Sequence, residues 1–377
     1  MKKKTLVGTL LIITSILVQA QPFPSDDSLT HRLSLLFIGD IMGHSPQIVS
    51  AYDSTTKGYN YEDVFQRVKP VFEGYDIAIA NLEVTLAGKP FTGYPQFSSP
   101  DELALALKNS GIDILVTANN HSVDRGKKGI IRTVQVLDSI GIPHTGTFLD
   151  SIHRDTVSPL IIEKNGIRVA LLNYTYGTNG LAVPYPALVN LIDTSLIRFD
   201  FTTCKAKGAD EVIAFFHWGM EYERSPNPDQ KELAAFCHRM GIRIVIGSHP
   251  HVIQRMEASL TPDSITSEVT VYSLGNFVSN QRGRYRNGGA VAGLTLRKDS
   301  SGISIDDTGY RLVWVYTPVI NGRKMFQILP VPLTENQKNL FKEEELTMFD
   351  EFVNDTRQLL NSENINFPEL TTQSNSE

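Results

Sequence analysis

Five polar clusters each follow directly on an apolar run. They are Gly39-Asp40-Ile41-Met42-Gly43-His44, Asn81-Leu82-Glu83, Asn119-Asn120-His121, His217-Trp218-Gly219-Met220-Glu221-Tyr222 and Gly247-Ser248-His249-Pro250-His251. Carboxylate, amide and imidazole without thiolate is a donor set suited to a divalent ion of the Zn, Mn or Fe type. A two-ion centre needs one carboxylate that can bridge plus donors on either side, and these clusters hold enough for both. The chemistry such a centre supports is attack of activated water on an ester or amide-like group.

Each cluster also has a simpler reading. Asp40 after a strand can serve as a helix N-cap, Glu83 as a surface carboxylate, and Asn120-His121 as a turn. His217 at the end of an apolar run can be a core histidine. His249-Pro250-His251 resists that treatment. In an extended segment alternate side chains share a face, so both imidazoles point one way and ligation is the better reading.

The elements that position these clusters are legible as well. Leu33 to Ile38, Asp76 to Ala80, Ile112 to Thr117, Val169 to Asn173, Val212 to Phe216 and Arg243 to Ile246 are short, nearly continuous apolar runs. Such runs read as strands buried on both faces. Helical patterns cover Tyr61 to Phe72, Pro100 to Ser110, Lys127 to Ile140, Thr194 to Lys207 and Pro228 to Met240, the second expected to start on a Ser99 cap. The alternation predicts a layered α/β fold, whose ligand groups gather where the strands end. After Gly275, Ala290 to Arg297, Gly302 to Ile305 and Tyr310 to Val319 alternate apolar with polar residues, which predicts antiparallel strands and two sheets. The expected organisation is one domain over 33–330, an acidic helical segment over 331–360 and a frayed polar tail over 361–377.

Residues 1–20 carry Lys2 to Lys4, an apolar stretch and a small residue at Ala20, the pattern of a cleaved secretory leader. The chain is therefore expected to be exported, to the periplasm or cell envelope. With 35 Lys and Arg against 41 Asp and Glu, the 377 residues have a formal charge of −6, which argues against nucleic acid as a partner. Cys204 and Cys237 are the only cysteines; a bridge and two buried thiols are both open.

Taken in order, Gly-Asp-Ile-Met, Asn-Leu-Glu, Ala-Asn-Asn-His with Asp124 and Gly126, His-Trp-Gly-x-Glu-Tyr, Gly-Ser-His-Pro-His-Val and Tyr272-Ser273-Leu274-Gly275-Asn276-Phe277 resemble the CapA family of poly-gamma-glutamate capsule synthesis proteins. The likeness runs from about Leu35 to Val278. That family is itself similar to the calcineurin-like metallophosphoesterases, which implies a four-layer α/β/β/α sandwich around two divalent metals. By motif, Asp40 and His251 would serve the first ion, Glu83 would bridge, and Asn120, His217 and His249 would serve the second. His121 would act as general acid and Asp124 would orient it, with Glu221, Asn276 and Arg282 as substrate contacts. Position 42 is Met where the phosphoesterases have a His ligand, and His44 is a further candidate to replace it.

The implied role is a metal-dependent hydrolase in capsule or surface-polymer biosynthesis, with an anionic polymer or a small phosphoester as substrate and a membrane-bound capsule synthase as partner. Two alternatives stand beside it: a phosphoesterase on an unrelated phosphoester, and a non-catalytic polymer-binding scaffold. The scaffold reading needs a local basic patch, and Arg282, Arg284 and Arg286 would supply one.

Overall fold

The computed structural model describes residues 30–339 and 341–370, so the leader expected at 1–20 lies outside the described residues. The core strands pair in one path. In one half, His31–Ile41, Ile77–Leu82, Ile114–Val116 and His144–Thr145 run parallel, and Gly288–Asp299 and Gly302–Tyr316 continue antiparallel from the His31–Ile41 edge. In the other half, Thr266–Val271, Ile244–Ser248, Glu211–His217 and Ile167–Thr175 are parallel, with Leu160–Lys164 antiparallel at the edge. The halves join at one residue pair, Thr266 with Ile305.

The two halves face each other because side chains alternate along every strand. Leu33, Leu35 and Phe37 meet Ile213, Phe215, Ile244 and Ile246 in a core between the sheets. Leu36 and Ile38 turn outward onto helices Glu62–Phe65, Lys69–Phe72, Glu102–Ser110 and Gly126–Ile140. On the far side Val212, Ala214 and Phe216 turn onto helices Thr194–Ala206 and Pro228–Met240. The result is the expected α/β/β/α sandwich. Phe349, Phe352, Val353 and Leu360, from the C-terminal helix Glu343–Glu363, also pack into the inter-sheet core.

Several local expectations are corrected. The helix expected over Tyr61 to Phe72 is two short ones, because Pro70 has no N–H to continue the first. Ser99 does not cap its helix, which begins two residues later with Asp101 as the N-cap residue. Asp101 is instead bound bidentately by Arg132 at 2.7 Å. Gly302–Tyr316 is a single strand rather than two. The tail is not frayed over its described part: Tyr310 N–H donates to Pro368 O at 2.9 Å and Ala258 N–H to Ile365 O at 2.8 Å, with Phe367 buried. Cys204 and Cys237 are free and buried, and burial pushes each thiol up to about 12. No described helix is long and apolar enough to cross a membrane.

Candidate metal centre

Strand register brings the polar clusters to one edge. Asp40 lies opposite Asn81 on one side and Asn276 on the other, and His217 lies opposite Ser248. Two close backbone approaches sustain this. A Cβ at Gly39 would collide with the Gly275 carbonyl, and one at Gly247 with the Tyr272 carbonyl, so glycine precedes both Asp40 and Ser248 for want of space.

Asp40, Glu83 and His251 form one buried group of ligand-type atoms, and Glu83, His217 and His249 form another. Glu83 belongs to both, with Oε1 at 3.5 Å from His217 Nε2 and 3.7 Å from His251 Nε2. Its carboxyl group is fully buried, and among the described residues neither oxygen has a hydrogen-bond partner. A buried, unpartnered carboxylate is costly unless a cation sits on it. Without one, burial and then the Asp40 charge hold Glu83 well above the usual carboxylate range. Asp40 is pulled the other way: burial raises it, but the His251 hydrogen bond at 3.1 Å and the His251 and His217 charges outweigh that. Burial also depresses the imidazoles, His249 to about 3 and His217 well below its ordinary value. Neutral imidazole is the ligating form, so the donor set fits divalent ions.

Asn120 joins the second group, its Oδ1 lying 2.9 Å from His217 Nε2. His249 Nδ1 is 3.1 Å from the same nitrogen. The expectation of an extended His-Pro-His segment is corrected: His249 has φ +104° and His251 φ +59°. This left-handed turn sends the two imidazoles to different groups, and such backbone costs of order 1–3 kcal/mol per residue, as is common where geometry is held for function.

His121 and Asp124 form a buried pair, Nδ1 to Oδ2 at 2.8 Å, and Asp124 also accepts the Phe97 N–H at 2.7 Å. His121 Nε2 makes no hydrogen bond among the described residues, and its ring stands edge-on to Phe97 at 4.6 Å. His44 falls outside both ligand groups; its Nδ1 lies 3.3 Å from the Asn280 N–H. Glu221 is exposed and adds its field to that of Asp40 at Glu83.

Asn276 turns its amide to Gln281 Oε1 and Arg286 O, at 3.1 and 3.2 Å, so it holds a loop. Arg282 is half-buried with Nη1 on the Val315 carbonyl at 3.0 Å. The basic patch is also broken, since Asp355 binds Arg284 at 2.7 and 2.9 Å.

Three residues at the site were not singled out from sequence. Asn81 Nδ2 donates to Asp40 Oδ1 at 2.8 Å and lies 3.3 Å from His217 Nδ1. Ser248 donates to the same Asp40 oxygen. Half-exposed Tyr176 lies against His249 with ring centroids 4.6 Å apart and borders a 510 Å³ cavity with Trp218, Met220 and Phe236. Asn81 and Ser248 were visible as strand-end residues in the motifs; Tyr176 carried no comparable signal.

Fold and site together define an α/β/β/α sandwich with a buried carboxylate and imidazole centre at its strand ends. The model of the bacterial capsule synthesis protein family (PGA_cap) matches residues 34–281, and the chain belongs to that family. It is 29% identical over 288 residues to the capsule biosynthesis protein CapA of Bacillus anthracis, covering 72% of this chain and 66% of that protein. Identity is also 29% to the PGA biosynthesis protein CapA of Bacillus subtilis, covering 72% and 69%. The chain thus spans about two thirds of the length of these relatives. Among solved structures, NAD nucleotidase of Haemophilus influenzae is 14% identical with a TM-score of 0.48, covering 86% of this chain and 63% of that one. The calcineurin-like phosphoesterase YfkN of Bacillus subtilis is 16% identical with a TM-score of 0.45, covering 75% and 91%.

Proposed function

We propose that this chain is an exported, metal-dependent hydrolase acting in the biosynthesis of a capsule or another anionic cell-surface polymer. The observation that carries the proposal is Glu83, a wholly buried carboxyl shared by two ligand groups, whose two oxygens have no hydrogen-bond partner among the described residues. In this reading Asp40, His251 and Glu83 hold one divalent ion, and Glu83, His217, His249 and Asn120 hold a second. When bound, such ions polarise a phosphoryl or γ-glutamyl carbonyl oxygen and acidify a water.

The protein's own groups do the rest. His121 gives the proton on Nε2 to the departing oxygen or nitrogen. Asp124 accepts from Nδ1, fixing the ring's orientation and steadying its charge. Asn81 and Ser248 hold Asp40 in place through its Oδ1, which leaves Oδ2 toward His251. Family membership and the two named relatives support the biological process, and the leader pattern at 1–20 supports export.

The purified chain, reconstituted separately with Mn, Zn and Fe, would be assayed on aryl phosphates and on γ-linked glutamyl peptides. Turnover of either class that disappears in His121→Ala supports the hydrolase reading. Turnover of aryl phosphates alone favours a phosphoesterase unrelated to polyglutamate. No turnover of either class with any ion contradicts catalysis and leaves the polymer-binding scaffold.

A further inference from the structure

The loop over residues 279–287 follows the strand Asn276–Val278, whose first residue lies opposite Asp40. It carries three arginines with different fates. Arg284 is tied to Asp355 on the C-terminal helix, and Arg282 turns inward to Val315 O. Arg286 is the one left over: among the described residues no carboxylate pairs with it.

Its guanidinium is nonetheless held in place. It lies over the Tyr222 ring, 4.8 Å from the centroid, in a cation–π contact. Asn276 Nδ2 holds the Arg286 carbonyl at 3.2 Å, and the Arg286 N–H donates to Gly283 O at 3.1 Å. Gly283 has φ +147°, and a Cβ there would collide with Arg286 Nη2. Tyr222 is fixed in turn, with φ +69° and its N–H on Pro250 O at 2.8 Å. Pro250 separates His249 from His251, and the Tyr222 ring centroid is 6.1 Å from that of His251. A cation without an ion pair among the described residues therefore stands one aromatic ring away from the centre, with Glu221 also acting on that ring, and is braced by the residue beside Asp40.

We propose that Arg286, presented on Tyr222, is a specificity residue that binds an acidic group of the substrate next to the group held at the centre. This rests on the metal-centre reading above. Guanidinium suits carboxylate and phosphate alike, so a polycarboxylate and a polyphosphodiester share the recognition chemistry. Arg286 is a specificity residue in this scheme, and the bond-breaking groups lie elsewhere.

The test is equilibrium binding to the metal-reconstituted chain, in wild type, Arg286→Ala and Arg286→Lys, with ion content measured on each sample. The probes are γ-linked triglutamate, its α-carboxamide analogue and a glycerol phosphate trimer. The expected result is a Kd about tenfold weaker in Arg286→Ala for one charged probe, roughly one charge-assisted hydrogen bond. Arg286→Lys should recover part of the loss, and the carboxamide should bind wild type and variant equally weakly. Which charged probe responds identifies the class. Equal Kd values in wild type and Arg286→Ala at equal ion content would overturn the proposal, as would failure of both charged probes to bind. A wild type that takes up no ion would instead overturn the metal-centre reading.

Discussion

Replacing Glu83 by Gln should change how the stability of the metal-free protein depends on pH. The folded carboxyl is held well above its ordinary value of 4.5. Between that value and its raised one, the folded chain therefore binds a proton that the unfolded chain releases. Stability must fall as pH rises through this window, by about 1.4 kcal/mol per pH unit for one proton. The histidines act with the opposite sign: His217 and His249 stay neutral in the fold, so their contribution grows with pH up to their ordinary value of 6.5 and is then constant. Asp40 is depressed, so its contribution is complete above its ordinary value of 3.8. Comparison with Glu83→Gln isolates the carboxyl from these other groups. In urea unfolding without metal, the stability of wild type relative to Glu83→Gln should fall as pH rises above 4.5. Adding a divalent ion should abolish the wild-type decline, because ligation displaces the proton. Parallel profiles for the two metal-free proteins would refute the reasoning.

Three further outcomes follow from local geometry. Asp124→Asn removes a charge-assisted hydrogen bond from His121 worth about 1.5–3 kcal/mol; steady-state kinetics should show kcat lowered roughly 10- to 100-fold with ion content unchanged, and loss of the ions would contradict this role. Gly39→Ala drives a Cβ into the Gly275 carbonyl and should cost about 1–3 kcal/mol, read as a lower Tm and weaker ion binding; an unchanged Tm would contradict it. The thiols of Cys204 and Cys237, buried and pushed up to about 12, should resist a thiol-reactive dye until the protein unfolds; prompt labelling of the native protein would contradict their burial.

Much of the sandwich could be read from the chain because its strands are apolar on both faces and its helices amphipathic, so period and length separate them. The hairpin edge Leu160–Lys164 was missed although Asn165-Gly166, both with positive φ, is a strong two-residue turn signal. Contacts set by tertiary packing were beyond local pattern. Nothing near Pro70 says that two short helices stay packed on the sheet. The gathering of Asp40, Glu83, His217, His249 and His251 was legible because each lies at or just after the end of a strand and strand ends converge. The turn at His249 and His251 was not, since left-handed backbone at histidine is imposed by its surroundings. Asn276 and Arg282 were read as substrate contacts; beyond the reach of local pattern, one braces a loop and the other caps a carbonyl. Arg284 and Arg286, two residues apart, differ because Asp355 of the C-terminal helix reaches only the first.

The most direct test of the metal centre is elemental analysis of the purified chain after reconstitution with Mn, Zn or Fe, wild type beside the His249→Ala/His251→Ala double variant. About two ions per wild-type chain are expected, as a shared carboxylate between two ligand groups requires, with their loss from a variant that remains folded by circular dichroism. A folded wild type that holds no ion, or a double variant that holds as many as wild type, would contradict it.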